Sequence, residues 1–322
     1  MYCNWGILGP GFIATRAIIP AIQGTSNSRI LAVASSNEQR AREVANRFGM
    51  ERFYFDYQAL LDDPDIDVVY IALPNHLHRE WTIRAAAAGK HVLCEKPLAI
   101  HADECNEMIA ACQQAHVLFM EAVMYRFHPR MIYLKQMLLA HELGDVRFLH
   151  AAFSFNFNAL NNYRAYKQFG GGALLDTGSY CVNAARWLIG TEPVSSQVVT
   201  SYNQESIDLN TSAILRFSAD VSAHIQTSFV AAEHQVIEVV GTTGATTAPL
   251  AFTAWRDDTT KLLIQHGAVV EQRDFAPCDP YQLMIEHFTT CVIGKTPLLY
   301  PAEDGLANLR VLDMLRGIDN TL

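Results

Sequence analysis

The chain has 322 residues, half of them hydrophobic and 18% charged, which is material for about two packed domains and excludes a disordered, collagen-like or low-complexity scaffold. Lys and Arg number 24 against 33 Asp and Glu, a net charge of −9, and no basic block occurs, so nucleic acid is not an expected partner. No apolar run approaches the roughly 20 residues of a membrane span, so no membrane association is expected. The opening Met1-Tyr2-Cys3-Asn4-Trp5-Gly6 lacks a basic patch followed by an apolar stretch, so no secretory leader is expected. Seven scattered cysteines with no Cys-x-x-Cys fit a reducing cytoplasm.

In chain order, residues 3–8 read as a strand and 12–23 as a helix despite Pro20. Residues 29–34 read as a strand, 38–48 as a helix, and 67–73 as a buried strand. A helix over 76–88 follows, with Asn75 as its expected N-cap and Gly89 as its stop. Residues 90–94 form a strand, 102–115 a helix that buries Cys105, Met108, Ile109 and Cys112, and 117–120 a last strand. This alternation predicts a doubly wound parallel sheet with helices on both faces over residues 1–122. From 123 to 322 the pattern changes. Helical runs at 129–140, 173–189, 281–293 and 302–318 flank strand-like stretches at 146–157, 196–202, 212–217, 223–229 and 236–240. Strands grouped in this way predict an α+β domain on a mostly antiparallel sheet.

Between the first strand and the first helix stands Gly9-Pro10-Gly11-Phe12-Ile13-Ala14, a G-x-G-x-x-A loop. Gly9 permits a tight turn, Gly11 lets a pyrophosphate approach the backbone, and the helix start offers N–H groups and a positive dipole end. The context points to a dinucleotide site over Gly9, Gly11, Phe12 and Ile13; the alternative is a glycine turn without a ligand. Units of this kind that bind NAD carry Asp or Glu at the end of the second strand. Here Ser35-Ser36-Asn37 stands there, Glu38 begins the next helix, and Arg40 lies within reach. Small hydroxyls beside an Arg favour a 2′-phosphate, hence NADP, with NAD as the alternative if Arg40 is a solvated helix residue.

Two further segments carry chemistry. Glu95-Lys96-Pro97 follows a strand whose carboxyl end lines the ligand crevice of such a sheet. Gly170-Gly171-Gly172 leads into a helix on which Asp176, Tyr180 and Asn183 share one face at i, i+4 and i+7, opposite Leu174, Leu175, Val182 and Ala185. Gly178 inside that helix is costly unless something approaches closely.

Together with Trp5-Gly6-Ile7-Leu8-Gly9-Pro10-Gly11, Ala72-Leu73-Pro74-Asn75-His76-Leu77-His78, the run from Gly89 to Leu98 and Met120-Glu121-Ala122-Val123-Met124-Tyr125-Arg126-Phe127-His128-Pro129, these segments resemble the Gfo/Idh/MocA oxidoreductases over nearly the whole chain. Tyr180, where many members have His, resembles the branch of glucose–fructose oxidoreductase, xylose dehydrogenase and dimeric dihydrodiol dehydrogenase. The resemblance implies that Lys96 and Tyr180 are the catalytic pair and that Asp176 supports the substrate. It also implies that Leu73, Pro74, Asn75, His78 and Glu95 line the cofactor, and that the substrate is a sugar, polyol or diol. An ordinary phenol ionises near pH 10 and is a poor base at neutral pH; a neighbouring ammonium favours the phenolate. Asp176 either bonds a substrate hydroxyl or orients Lys96. Arg126, like His128, either enters the substrate pocket or has a structural role, and Asn183 is a further substrate candidate. The resemblance also implies a homodimer or homotetramer formed through the open face of the second sheet.

Other patterns are set aside. Tyr163-x-x-x-Lys167 has the spacing of short-chain dehydrogenases, but the cofactor loop differs from theirs. His76 and His78 point to different faces and lack fitting partner ligands, so no metal is expected. Gly241-Thr242-Thr243-Gly244 reads as a hairpin turn. The segments 156–168 and 255–260 are expected to carry substrate specificity. A nucleotide-sensing regulator of the same fold is the alternative to an enzyme.

Overall fold

A computed structural model describes residues 2–157 and 162–318. The chain forms two compact units. One runs from the N-terminus to Met124 and includes Tyr281–Leu306; the other comprises Tyr125–Pro280 and the chain from Ala307 onward.

The first unit holds six strands, β1 (Cys3–Leu8), β2 (Ser28–Ala34), β3 (Arg52–Tyr54), β4 (Val68–Ile71), β5 (His91–Cys94) and β6 (Phe119–Glu121), in the order β3-β2-β1-β4-β5-β6. Every pairing is parallel. The strand order reverses between β1 and β4, and the loops after these two strands leave from the carboxyl edge, where such sheets bind ligands. The central strands are buried on both faces, which is why they read as unbroken apolar runs.

Local chemistry shapes the helices around this sheet. Residues 12–23 are helical, but the turn Ala14–Ile18 widens to a π-turn, and Pro20 falls in the first turn of the α-helical segment Ile19–Gln23. There its missing N–H and its ring are tolerated. The helix expected from residue 76 starts instead as a 3₁₀ turn, Asn75–Leu77, in which Asn75 is buried, and Leu77 precedes the α-helix His78–Ala87. β3 and the helix Tyr57–Leu61 carry no long apolar period to announce them. Polar bonds hold the short strand instead: Arg52 donates to both carboxylate oxygens of Asp63 at 2.7 Å, and the Tyr54 hydroxyl donates to Asp63 at 2.8 Å.

The helix Pro280–Gly294 shows why Tyr281–Leu306 belongs to the first unit rather than to a domain of 123–322 taken whole. Trp5 of β1 is fully buried with its ring against Phe288 at 5.7 Å, and its indole N–H donates to Thr289 at 3.3 Å. Ser28 meets the same threonine at 2.7 Å, and Asn27 donates to Thr290 at 3.2 Å.

The second unit holds β7 (Val146–Ser154), β8 (Ser195–Tyr202), β9 (Asp208–Arg216), β10 (Ser222–Ser228), β11 (His234–Gly241), β12 (Ala245–Pro249), β13 (Thr260–His266) and β14 (Val269–Phe275). Their order is β14-β13-β12-β11-β7-β10-β9-β8, antiparallel except for the β7–β10 pair. On β9, buried Thr211, Ala213 and Leu215 alternate with exposed Asn210, Ser212 and Ile214, the signature of a sheet covered on one face. The helical run 173–189 packs against β7 and β10. Residues 242–244 join β11 and β12 as the expected hairpin turn. The last three strands were not anticipated. β12 is short and threonine-rich, and β14 is an almost fully exposed edge strand whose centre is Glu271-Gln272-Arg273-Asp274. Among the described residues no helix is long and apolar enough to cross a membrane.

Trp5 is the bolt between β1 and the Pro280–Gly294 helix. Trp5→Ala is expected to cost about 3–5 kcal/mol in denaturant unfolding, and Trp5→Phe less than about 1.5 kcal/mol. An unchanged unfolding midpoint in Trp5→Ala would contradict this packing.

Candidate active site

The nucleotide side is built from loops after β1, β2, β4 and β5. Gly9 has φ +88°, and a Cβ there would stand 2.9 Å from the Ala72 carbonyl and 2.8 Å from Leu73, so only glycine fits. At Gly11 the situation is different. An added Cβ would meet only the Ala72 carbonyl, at 3.7 Å. The fold itself leaves that space open, beside the start of the helix that opens at residue 12. Phe12 is exposed there and Ile13 half-buried. Open space at Gly11 together with the N–H groups of a helix start is a donor set that fits a dinucleotide pyrophosphate. Gly9, Gly11, Phe12 and Ile13 are the residues that would hold it.

At the end of β2, Ser35 is buried and its hydroxyl accepts from the Asn37 N–H at 3.2 Å, while Ser36 is exposed. Asn37 caps the helix Glu38–Phe48 by accepting from the Arg40 N–H at 3.0 Å. The Arg40 guanidinium then reaches back and donates to the Pro10 carbonyl at 2.8 Å. The structure therefore brings Ser35, Ser36 and Arg40 to the glycine loop, where no carboxylate stands at the end of β2.

The loops after β4 and β5 are tied by His78. Its ring is fully buried, with Nε2 2.8 Å from the Leu73 carbonyl and Nδ1 2.9 Å from the Pro97 carbonyl. Burial lowers its pKa, against the pull of those carbonyls. His78 thus supports the candidate cofactor loops from beneath. Leu73 and Asn75 are buried, and Pro74 is half-buried. Lys96 is half-buried at the end of β5, and the Lys96–Pro97 peptide is cis. Glu95 accepts from the Tyr70 hydroxyl, and burial followed by that carboxylate pushes the Tyr70 phenol well above its ordinary pKa.

In the second unit, Leu174–Gly178 is a π-turn that runs into the α-helix Ser179–Ile189. Nearly every side chain from 174 to 188 is buried, Asp176 and Tyr180 included. The predicted polar face is therefore an interior one. The Tyr180 ring is boxed by Tyr125, Phe153 and Phe252, with centroids 6.1, 5.7 and 5.6 Å away. Phe252 is held in place from behind. Arg130, also buried, donates to the carbonyls of Pro249 at 2.6 Å and Leu250 at 2.7 Å, at the turn that precedes it. Gly178 is closely packed: a Cβ there would lie 2.8 Å from Leu174 Cδ1 and 3.4 Å from Thr227 Cγ2.

Asp176 has a partner that the sequence did not announce. Arg164 Nε donates to its Oδ2 at 2.8 Å, with the guanidinium also 4.8 Å from the Tyr163 ring. Arg164 sits within the stretch set aside as a chance Tyr-x-x-x-Lys match; the useful residue in it is the arginine between the two. Arg126 and Asn183 are brought together with each other, and each is only 1% exposed. Asn183 Oδ1 accepts from Arg126 Nε at 2.8 Å and from the Tyr125 hydroxyl at 2.7 Å, and the guanidinium lies over Trp187. They form a buried cluster behind Tyr125. Part of the expected specificity segment, residues 158–161, lies outside the described residues.

Residues 3–123 match the model of an oxidoreductase family with an NAD-binding Rossmann fold, and residues 131–247 match the GFO/IDH/MocA C-terminal domain. The chain is 36% identical to the D-xylose 1-dehydrogenase (NADP(+)) 2 of Haloferax volcanii, covering 97% of this chain and 95% of that one. It is 32% identical to the trans-1,2-dihydrobenzene-1,2-diol dehydrogenase of Mus musculus, over 76% of this chain and 74% of the other. A 3-ketoreductase from Actinomadura kijaniata, solved in complex with NADP and TDP-benzene, superposes with a TM-score of 0.91 at 29% identity, over 98% of each chain. The chain is an oxidoreductase of the Gfo/Idh/MocA family, with a Rossmann domain that binds a nicotinamide dinucleotide.

Proposed function

We propose that the protein is an NADP-preferring dehydrogenase or reductase acting on a secondary alcohol or carbonyl of a sugar, polyol or diol. In this reading Tyr180 is the proton-transferring group and Lys96 the ammonium that favours its ionised form. The observation that carries it is the second-unit helix, which encloses the Tyr180 phenol in an aromatic box one turn from an Arg164-paired carboxylate. The names of the xylose and diol dehydrogenases supply the substrate class.

When bound, the nicotinamide supplies the hydride acceptor or donor. In the oxidative direction the substrate hydroxyl passes its proton to the Tyr180 oxygen as hydride leaves the same carbon; in the reductive direction Tyr180 returns the proton to the carbonyl oxygen. Asp176, its charge balanced by Arg164, receives a neighbouring substrate hydroxyl and orients the sugar or diol. Positioned proton transfer of this kind is worth roughly 10²–10⁴ in rate. With NADP⁺ and a panel of D-xylose, D-glucose and 1,2-diols, Tyr180→Phe and Lys96→Ala are expected each to lower kcat by at least about 10²-fold. Undiminished formation of reduced cofactor in both variants would refute the assignment.

Arg40 supports the NADP preference, because its guanidinium reaches the glycine loop and no carboxylate competes at the end of β2. Arg40→Ala is expected to raise the Kd for NADP⁺ by about tenfold and leave that for NAD⁺ within about twofold. Equal losses for the two would show that Arg40 does not read the 2′-phosphate.

Six of the seven cysteines are buried and none is in a disulfide, in keeping with a reducing cytoplasm. Self-association through the second sheet fits its open face, where Phe148, Val199 and Ile214 are exposed. Sedimentation is expected to show a dimer or tetramer that Val199→Glu together with Ile214→Glu dissociates. A wild-type monomer at micromolar concentration would exclude it.

A further inference from the structure

We propose that Asp208, the first residue of β9, is a positioning residue for the catalytic helix, capping from a different strand the turn that carries Asp176 and leads to Tyr180. This rests on the reading of Tyr180 and Asp176 given above. Leu174 opens the π-turn, and its N–H donates to Asp208 Oδ2 at 2.6 Å. The residue before it, Ala173, has no side chain able to cap, so the helix start depends on a group from elsewhere. The carboxylate approaches so closely that the chain must be glycine beside it. Gly172 has φ +110°, and a Cβ there would collide with Asp208 Oδ1.

The other side of the same turn is held by Arg164. Its carbonyl accepts from the Gly172 N–H at 3.0 Å, while its side chain grips Asp176. Asp208 and Arg164 therefore clamp the entry of the helix from two directions. A negative charge at this end also meets the positive end of the helix dipole.

The groups around Asp208 are Lys167 and Tyr202, which line the same shallow pocket, and Arg316, whose guanidinium stands 3.2 Å from Asp313. Burial raises the Asp208 carboxyl from an ordinary 3.8 to about 6, against the Leu174, Ala173 and Asp208 N–H groups and Arg316, which favour the ionised form. The folded chain thus holds this proton more tightly than the unfolded one. Its contribution opposes folding increasingly as pH rises from about 4 to about 6, and stays constant above. A neutral residue would make the fold more stable at neutral pH.

The test uses Asp208→Ala and Asp208→Asn in the full chain. It follows deuterium exchange over residues 170–182, thermal melting, and steady-state turnover on the panel substrate that the wild type oxidises fastest. Asp208→Ala is expected to lose protection in 170–182 and to lower kcat by about tenfold, with the KM for NADP⁺ within about twofold. Asp208→Asn keeps an oxygen acceptor. It is expected to retain protection and most of kcat, and to melt above the wild type near pH 8. Unchanged protection in Asp208→Ala overturns the capping proposal whatever the chemistry of the enzyme. Lost protection with undiminished kcat shows that the cap exists but that the helix does not carry catalysis, and so overturns the functional reading. If Asp208→Ala does not fold, Asp208→Asn decides: loss of protection over 170–182 in that variant, which keeps the oxygen acceptor, overturns the proposal.

Discussion

One buried imidazole faces two backbone carbonyls, and the geometry of the nucleotide-side loops depends on it. His78 stands between Leu73, in the loop after β4, and Pro97, next to Lys96 after β5. Without the ring, two carbonyls would be left in the interior, each costing about 1–3 kcal/mol, and the loops would lose their common reference point. A neutral imidazole has one N–H and donates to one of the carbonyls at a time, whereas the imidazolium would serve both. Burial keeps the balance on the neutral side, so the staple is a hydrogen bond and a close packing contact rather than a buried charge. The neighbouring Glu95–Tyr70 contact follows the same economy, with the phenol kept protonated so that it can donate to the carboxylate.

The second unit solves a different problem. Its central helix is buried on every side yet carries Asp176, Tyr180, Asn183 and Arg186. Three of these polar groups meet residues brought from a distance in sequence or from the helix end: Arg164 for Asp176, Tyr125 and Arg126 for the Asn183 oxygen, and Glu192 for Arg186 at 2.6 Å. The aromatic residues Tyr125, Phe153 and Phe252 pack around the Tyr180 ring and fix its orientation. Fixed orientation of this kind is what a proton-transferring phenol needs, because reach and angle come before acidity.

The parts of this architecture that repeat were legible in the residues alone. The apolar runs of β1, β2, β4 and β5, the glycine loop, and the helices 38–48, 102–115 and 129–140 follow from periodicity and capping, and each stands within a few residues of its expected place. What periodicity could not show is anything held by a single polar contact. β3 rests on Asp63, β14 is an exposed edge, and the helix after β4 starts in a 3₁₀ turn that looked like a capped α-helix. The glycine run before residue 173 announced that something would approach the backbone there, but one sequence does not name the visitor. It is Asp208 from 36 positions downstream of Gly172 and the carbonyl of Arg164 from 8 positions upstream. Arg126 and Asn183, substrate candidates by their chemistry, also brace Tyr125, a contact that one sequence does not announce.

Two π-turns mark the two candidate sites, Ala14–Ile18 below the glycine loop and Leu174–Gly178 below Tyr180. The extra residue in such a turn rotates the side chains after it relative to those before it, at the expense of weaker backbone hydrogen bonds. In the first case the wide turn lets Pro20 enter a helix whose N-terminus must remain free for an anion. A regular α-helix would have satisfied the backbone better in both places. Its loss is compensated where the structure puts rigid support, by Gly9 against Ala72 in one unit and by Asp208 and Arg164 around Gly172 in the other.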